Sequence, residues 1–473
     1  MLTMHNEMVA LSQTAVDTLA TQFAGELIRP EDAGYDLARR VWNGMIDRYP
    51  ALIARCVSVA DVQAALAFAR DQRLPLAVRG GGHNVAGHAT CDDGLVIDLS
   101  LLNEVVVDVA ARRVHAGGGA TWTMVDGATL PHGLATPGGV VSDTGIAGLT
   151  LGGGFGWLRN KHGLSCDNLL AVEMVLADGR FIRASAAENP DLFWAVRGGG
   201  GNFGIVTRFT YQLHPVGPAV WMTAVFHDGA QAETILRRFR DYCETAPDEV
   251  SLLAACGVFP AGVEHFPEAV WERPFVLLIG MYAGDPDEGQ RIMQPLRDWA
   301  APLLDFSDVT TYQAMQTFFD ADYPKYDLRY YWKSLNLTRL DDAAIATIVD
   351  HARRQPSVLN TTDIWHIGGA VRRVPEEEMA FHGRHAPFLL NVEANWETAV
   401  DDAANIAWVR ESLQAARPFS DGSRYLNFAG LQEEGDEMMT AAFANKYTQL
   451  AQIKAKYDPH NLFRLNQNVK PAP

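Results

Sequence analysis

The run Arg79-Gly80-Gly81-Gly82-His83-Asn84 brings together residue types that could hold an anion and form a bond to it. Three consecutive glycines leave a turn without side chains, so its backbone N–H groups can converge on a phosphate. Arg79 adds positive charge, and His83 sets a neutral nitrogen nucleophile beside whatever the loop holds. The six residues alone fit two readings, a glycine-rich turn with a solvated histidine or an anion cradle with a nucleophile.

Two further glycine runs bear on that choice. In residues 136–156, eight of twenty-one are glycine, including Gly145, Gly148, Gly152, Gly153, Gly154 and Gly156. Within a regular element each glycine costs roughly 0.5–1 kcal/mol relative to alanine, a cost that close approach of a large planar ligand would offset. A third loop, residues 197–204, ends in Asn202-Phe203-Gly204 and runs into Ile205-Val206. Three such loops in one part of the chain point to one shared ligand.

The elements that must position these loops follow from periodicity. Residues 59–70 carry apolar positions at helical spacing, and 74–79 reads as a strand entering the first loop. Residues 12–27 and 120–132 read as helices, 95–99 as a strand, and 104–116 and 172–184 as hairpins, the second turning at Asp178-Gly179. A dinucleotide fingerprint is rejected, because the 157–163 segment after the long glycine run is too short for a crossover helix. From about residue 218 long glycine runs vanish. Helix-like stretches (230–245, 285–300, 341–355, 401–417) alternate with strand-like ones (219–226, 250–257, 274–282, 363–370, 388–396), which suits an antiparallel sheet covered by helices. The chain closes with Tyr425-Leu426-Asn427-Phe428, a helix over about 436–456, and Asn466-Gln467-Asn468.

Bulk properties set bounds. At 473 residues the chain is too long for one ordinary core. A net charge of −18 argues against nucleic acid or an anionic membrane as a general partner. Five widely spaced cysteines without a C-x-x-C pair indicate neither a disulfide framework nor a metal site. With no basic-then-apolar leader and no long apolar run, the expected setting is soluble and cytoplasmic.

Together these motifs resemble the flavoprotein oxidases of the vanillyl-alcohol oxidase superfamily, and most closely its berberine bridge enzyme-like branch, to which 6-hydroxynicotine oxidase also belongs. The resemblance rests on residues 79–84, 145–156, Gly163-Leu164-Ser165-Cys166-Asp167-Asn168-Leu169, 192–207 and 457–468. It implies an α+β fold. A two-part PCMH-type FAD-binding domain (residues 1–217 and 419–473) would enclose an inserted substrate domain (218–418). His83 matches the histidine bonded to the flavin 8α-methyl. Many members add a cysteinyl bond from a position that is Val141 here, so FAD attached through His83 only is expected. Cys166 occupies a different motif and reads as a packed thiol.

The expected cofactor contacts are Arg79, Gly80, Gly81, Gly82, Asn84, Ser142, Thr144, Gly145, Gly148, Gly152, Gly153, Gly154, Gly156, Asn202, Gly204, Val206, Tyr425, Asn427, Asn466 and Asn468. Tyr425 matches a tyrosine that serves as base in several members, a role that needs its pKa lowered. Thr144 falls where the family tunes oxygen access. In the second domain Asn391, Glu393 and Asn395 share one face of a strand by alternation, and with Asp363, Trp365, His366, Tyr330, Tyr331 and Lys333 they could line a substrate cavity or face solvent. Of these, His366, Asn391, Glu393 and Lys333 are the substrate candidates. The expected reaction is hydride transfer from an alcohol, sugar hydroxyl or phenolic natural product, with O2 reduced to H2O2; an amine oxidase or an oxygen-insensitive dehydrogenase are the alternatives.

Overall fold

The computed structural model describes residues 11–431 and 435–473. Its first sheet has the strand order Glu26–Ile28, Leu52–Arg55, Leu95–Asp98, Leu76–Arg79, the last three parallel. Leu52, Ile53, Ala54, Leu95, Val96 and Ile97 are all fully buried, as expected of parallel strands covered on both faces. The crossover helix Val59–Asp71 starts at a capping box. Ser58 Oγ accepts from Asp61 N and Asp61 Oδ2 accepts from Ser58 N, both at 3.1 Å. That helix returns the chain to Leu76–Arg79, whose end delivers the Gly80–Gly82 turn.

The amino-terminal helix is shorter than its periodicity predicts. It spans Gln13–Ala20, and Glu26–Ile28 becomes an edge strand instead. Gly25 passes so close to the neighbouring strand that a Cβ there would lie 2.1 Å from Arg55 O.

A second, antiparallel sheet has the order Val105–Asp108, Arg113–Gly117, Ile205–Gln212, Leu169–Val175, Phe181–Ser185, containing both expected hairpins. The third sheet is eight-stranded and antiparallel. Its six long strands are Val220–Asp228, Pro274–Tyr282, Val250–Val258, Thr361–His366, Phe388–Trp396 and, at the edge, Arg329–Leu337, in that order. Helices Ala232–Cys243, Pro286–Asp298, Asp342–Ala352 and Asp402–Ala416 cover one face, where Ile364, Leu390, Val392 and Ala394 pack with Ile235, Met293, Ile345 and Val409. The opposite face looks toward the first two sheets.

The carboxy-terminal helix Tyr447–Tyr457 packs Leu450, Ile453 and Tyr457 into the core of the second sheet. Lys454, fully buried, donates to Asn202 O (2.7 Å), Asp458 Oδ2 (2.7 Å) and Phe463 O (3.0 Å). This one ammonium therefore ties the chain's return to its third glycine loop. The expected helix over 436–456 is broken, into Asp436–Phe443 and Tyr447–Tyr457, by a 3-10 turn at Ala444–Lys446. Among the described residues, no helix is long and apolar enough to cross a membrane.

A candidate cofactor and substrate cavity

A cavity of about 760 Å3 runs between the third sheet and the glycine loops. Gly80, Gly81, Gly82, His83, Asn84, Thr144, Gly145, Gly148, Gly204, Val206, Asn427 and Asn466 line it, together with Gly200, Gly201 and Val141. A Cβ at Gly148 or Gly201 would meet nothing within 4 Å, so these two backbones border open space that a ligand can fill. Asn466 Oδ1 is buried without a hydrogen-bond partner. Bare backbone and an unpaired amide oxygen on one wall suit a nucleotide cofactor such as FAD.

Not every glycine serves the cavity. Cβ atoms at Gly152, Gly153, Gly154 and Gly156 would strike Asn427 Oδ1 (2.1 Å), Phe381 Cε2 (2.6 Å), Ser165 Oγ (2.3 Å) and Gly138 O (1.8 Å), and none of the four lines it. Their density reflects close packing of chain on chain. Arg79 is also placed differently from its expected role. Its guanidinium is buried away from the cavity, donating to Ala38 O and to Ala89 O (3.2 Å) and lying 3.7 Å from Asp98. Ser142 binds Asp320 through its backbone N (2.8 Å) and Oγ (2.6 Å), off the cavity wall. Asn202 is likewise structural, donating to Gly199 O and Gln467 O and accepting from Val469 N. Asn468 lies off the wall as well.

His83 stacks on Trp42 at 4.2 Å and 18°, and Trp42 stacks in turn on Tyr330 at 3.7 Å and 15°. His83 Nε2 lies 3.2 Å from Asp143 Oδ1, an ion-pair distance without the alignment of a full hydrogen bond. Lys325 Nζ holds the other oxygen at 2.9 Å. Burial works to raise the Asp143 pKa, but His83 and Lys325 outweigh it and keep the carboxyl below its ordinary range.

Tyr425 reaches the same cavity from the carboxy-terminal segment, fixed by reciprocal 3.1 Å hydrogen bonds between its backbone and Ser334 Oγ. Its phenol oxygen accepts from Gly154 N (3.1 Å) and Asn427 Nδ2 (2.8 Å). Burial nevertheless pushes the phenol up, the two donors only partly opposing it. The group therefore keeps its proton at neutral pH and stands as a donor.

The far end of the cavity belongs to the third sheet. Along Phe388–Trp396, residues Asn391, Glu393 and Asn395 share the cavity-side face, while Leu390, Val392 and Ala394 pack into the helix-covered core. Glu393 accepts from Asn391 Nδ2 (2.5 Å) and from the Tyr323 hydroxyl (2.7 Å). Asp363 sits opposite Asn391 on the next strand, with Oδ1 buried and unpaired. Burial, then the Glu393 charge, pushes Asp363 well up, and burial pushes Glu393 up to about 7 against the opposing hydrogen bonds from Tyr323, Asn391 and Asp363. Trp332, Trp365 and Phe428 complete an aromatic wall.

Asn391, on the cavity side, stands behind Glu393 and is not itself on the wall. Two further substrate candidates are corrected by alternation. His366 follows Asp363 and Trp365 out of step, faces away from the cavity, and bonds Asn160 Nδ2 through Nδ1 at 3.1 Å. Burial first, then Arg159 and Arg372, push its pKa down to about 3. Lys333, between the inward Trp332 and Ser334, emerges on the outer face beside Arg410, Glu411 and Gln414. Sequence reasoning missed Tyr323, Trp332 and Asp143. Alternation from Ser334 would have found Trp332; nothing local marks Tyr323 or Asp143.

These features define an FAD-linked oxidoreductase. The description FAD binding domain fits residues 50–185, and berberine and berberine like fits residues 424–470. The chain is 30% identical to (R)-6-hydroxynicotine oxidase of Paenarthrobacter nicotinovorans, covering 94% of this chain and 97% of that protein. It is 28% identical to an uncharacterized FAD-linked oxidoreductase of Bacillus subtilis, covering 95% and 98%. The solved 6-hydroxy-D-nicotine oxidase of Arthrobacter nicotinovorans matches with a TM-score of 0.85 at 29% identity, over 95% of this chain and 98% of that one. Glucooligosaccharide oxidase of Acremonium strictum, which carries a 6-S-cysteinyl, 8α-N1-histidyl FAD, shares the fold at 24% identity and a TM-score of 0.86, over 97% and 99%. The chain belongs to the berberine and berberine-like family of FAD-linked oxidoreductases.

Proposed function

We propose that this enzyme is an oxidase that holds FAD covalently through His83 alone and acts on a small amine with an aromatic or apolar body. Bound FAD would supply a hydride acceptor that dioxygen can reoxidise, with hydrogen peroxide as the product. The single-tether reading is supported by Val141 on the cavity wall and by the five cysteines, all buried and none lining the cavity. Cys166 packs 3.6 Å from the Met379 sulfur, and burial pushes its thiol up.

The observation that carries the substrate reading is the buried Asp363–Glu393 pair in an aromatic cavity whose described lining residues include no Lys or Arg. An ammonium entering there meets the faces of Trp332, Trp365 and Phe428 and the two carboxyl groups. Glu393, poised near 7, can accept the ammonium proton and leave the neutral amine whose C–H bond is weakened for hydride loss. The Tyr425 hydroxyl then orients the substrate as a donor, and the alcohol and sugar readings, which need no such charge, are less well supported.

An anaerobic screen of amines, alcohols and sugars tests this reading. Bleaching of the flavin by amines with an aromatic or apolar body and an α C–H bond, with colour and peroxide appearing when air is admitted, is the expected result. Bleaching only by alcohols or sugars would assign the other substrate class, and bleaching by amines with no recovery in air would make the protein a dehydrogenase.

A further inference from the structure

His83 sits in a cage built from two separate parts of the chain. Asp143 faces Nε2 at 3.2 Å, and Trp42 lies flat against the ring. Both are held in place by residues 320–330 of the third-sheet domain. Lys325 grips Asp143 at 2.9 Å, and Asp320 binds the backbone N and Oγ of the adjacent Ser142. Trp42 donates from Nε1 to Tyr323 O (3.1 Å), accepts at its carbonyl from Tyr326 N (2.9 Å), and stacks on Tyr330.

A neutral imidazole carries one N–H and one lone pair, and a carboxylate beside one nitrogen favours the proton there. With Asp143 at Nε2, the lone pair is left on Nδ1, for which no hydrogen bond is made among the described residues. We propose that Asp143, held by Lys325, is the positioning residue for covalent FAD attachment, setting the His83 tautomer and taking the Nε2 proton as Nδ1 bonds to carbon. This inference rests on the His83 tether proposed above. Attachment replaces one C–H bond of the 8α-methyl carbon and one ring N–H bond with one C–N bond. The two protons and two electrons released reduce one dioxygen to hydrogen peroxide, so the step balances with O2 as oxidant. Because Lys325 belongs to the sheet domain, attachment also requires that residues 320–330 be docked against the loop.

The test is the rate of attachment, read separately from turnover. Flavin-free protein is mixed with FAD in air, and flavin remaining with the acid-precipitated chain is followed over time, alongside intact mass and the reversible FAD affinity. Asp143→Ala is expected to slow attachment by roughly 10²-fold, the low end of what a positioned proton acceptor contributes, while reversible FAD binding persists. Asp143→Asn, whose amide oxygen can still accept from Nε2, should slow it less, and Lys325→Met should fall between Asn and wild type. Attachment by Asp143→Ala at the wild-type rate would overturn the proposal. So would loss of FAD binding in Asp143→Ala combined with wild-type attachment in both Asp143→Asn and Lys325→Met. If the wild-type chain carries no covalent flavin, or His83→Ala still does, it is the tether reading that fails instead.

Discussion

Gly81 and Gly145 lie backbone against backbone, so that a Cβ on Gly81 would come 2.5 Å from both N and Cα of Gly145. The contact locks the histidine-bearing loop to the loop that carries Asp143. Only main-chain atoms face the would-be methyl, so neither side can give way by changing a rotamer. Gly81→Ala should therefore destabilise the fold by about 1–3 kcal/mol, as overpacking does, and lower flavin content with it. Gly148 makes the contrasting case. It lies inside the helix Ile146–Leu151 with open cavity where its Cβ would be. Gly148→Ala should stabilise the flavin-free chain by about 0.5–1 kcal/mol and weaken FAD binding. Thermal midpoints with and without FAD separate the two signs.

Glu393 and Tyr425 line one cavity but hold their protons differently, which predicts unequal kinetic effects. Glu393→Gln keeps the shape and the Tyr323 hydrogen bond but cannot accept a proton. Its kcat/KM should fall by roughly 10²–10³-fold, within the range for a general base. Tyr425→Phe removes only a hydroxyl that burial already keeps protonated, so its loss should be about tenfold and expressed mainly in KM. The reverse order of severity would return the role of base to the tyrosine.

The buried carboxyl pair also sets the pH dependence of stability. Burial pushes the Glu393 carboxyl up from an ordinary 4.5 to about 7, so the fold holds its proton more tightly than the unfolded chain does. The associated stability is fully present below about pH 4.5 and is lost as the pH rises through about 7. Asp363, also pushed well up by burial and the Glu393 charge, adds a loss of the same sign. Glu393→Gln should flatten this fall, visible as a thermal midpoint that changes less between pH 5 and pH 8 than that of the wild type.

The three glycine loops, the hairpins and the helix-covered sheet could all be read from the chain, because turn chemistry and hydrophobic period are local properties. Asn391, Glu393 and Asn395 share a face for the same reason: strand alternation needs only the sequence. The misplaced residues fail in two distinct ways. His366 and Lys333 are polar residues in the right strands with the wrong parity, an error that the same rule could have caught. Charge and glycine density suggest a ligand at Arg79, Gly152, Gly153, Gly154 and Gly156, whereas Asp98 and close chain packing account for them. The His83 cage lay beyond local reading altogether, since Asp143 and Lys325 are 182 residues apart and meet only through tertiary packing.

Val141 allows a last prediction about the tether. Val141 is on the cavity wall with His83, at the position that the family resemblance assigns to a cysteinyl bond. Cys166 is fully buried off that wall, between Met379 and the Arg384–Asp167 pair, so Cys166→Ala should leave attached flavin unchanged. Val141→Cys puts a thiol where the cofactor is expected to lie. Burial raises a thiol pKa, which slows attack, so the second bond should form slowly but lastingly. In acid precipitates, His83→Ala should release its flavin, whereas His83→Ala combined with Val141→Cys should retain a fraction that grows with incubation time. Complete release from the double variant, in a protein that still binds FAD reversibly, would mean that Val141 does not face the reactive edge of the ring and that the absence of a cysteine there does not explain a single tether.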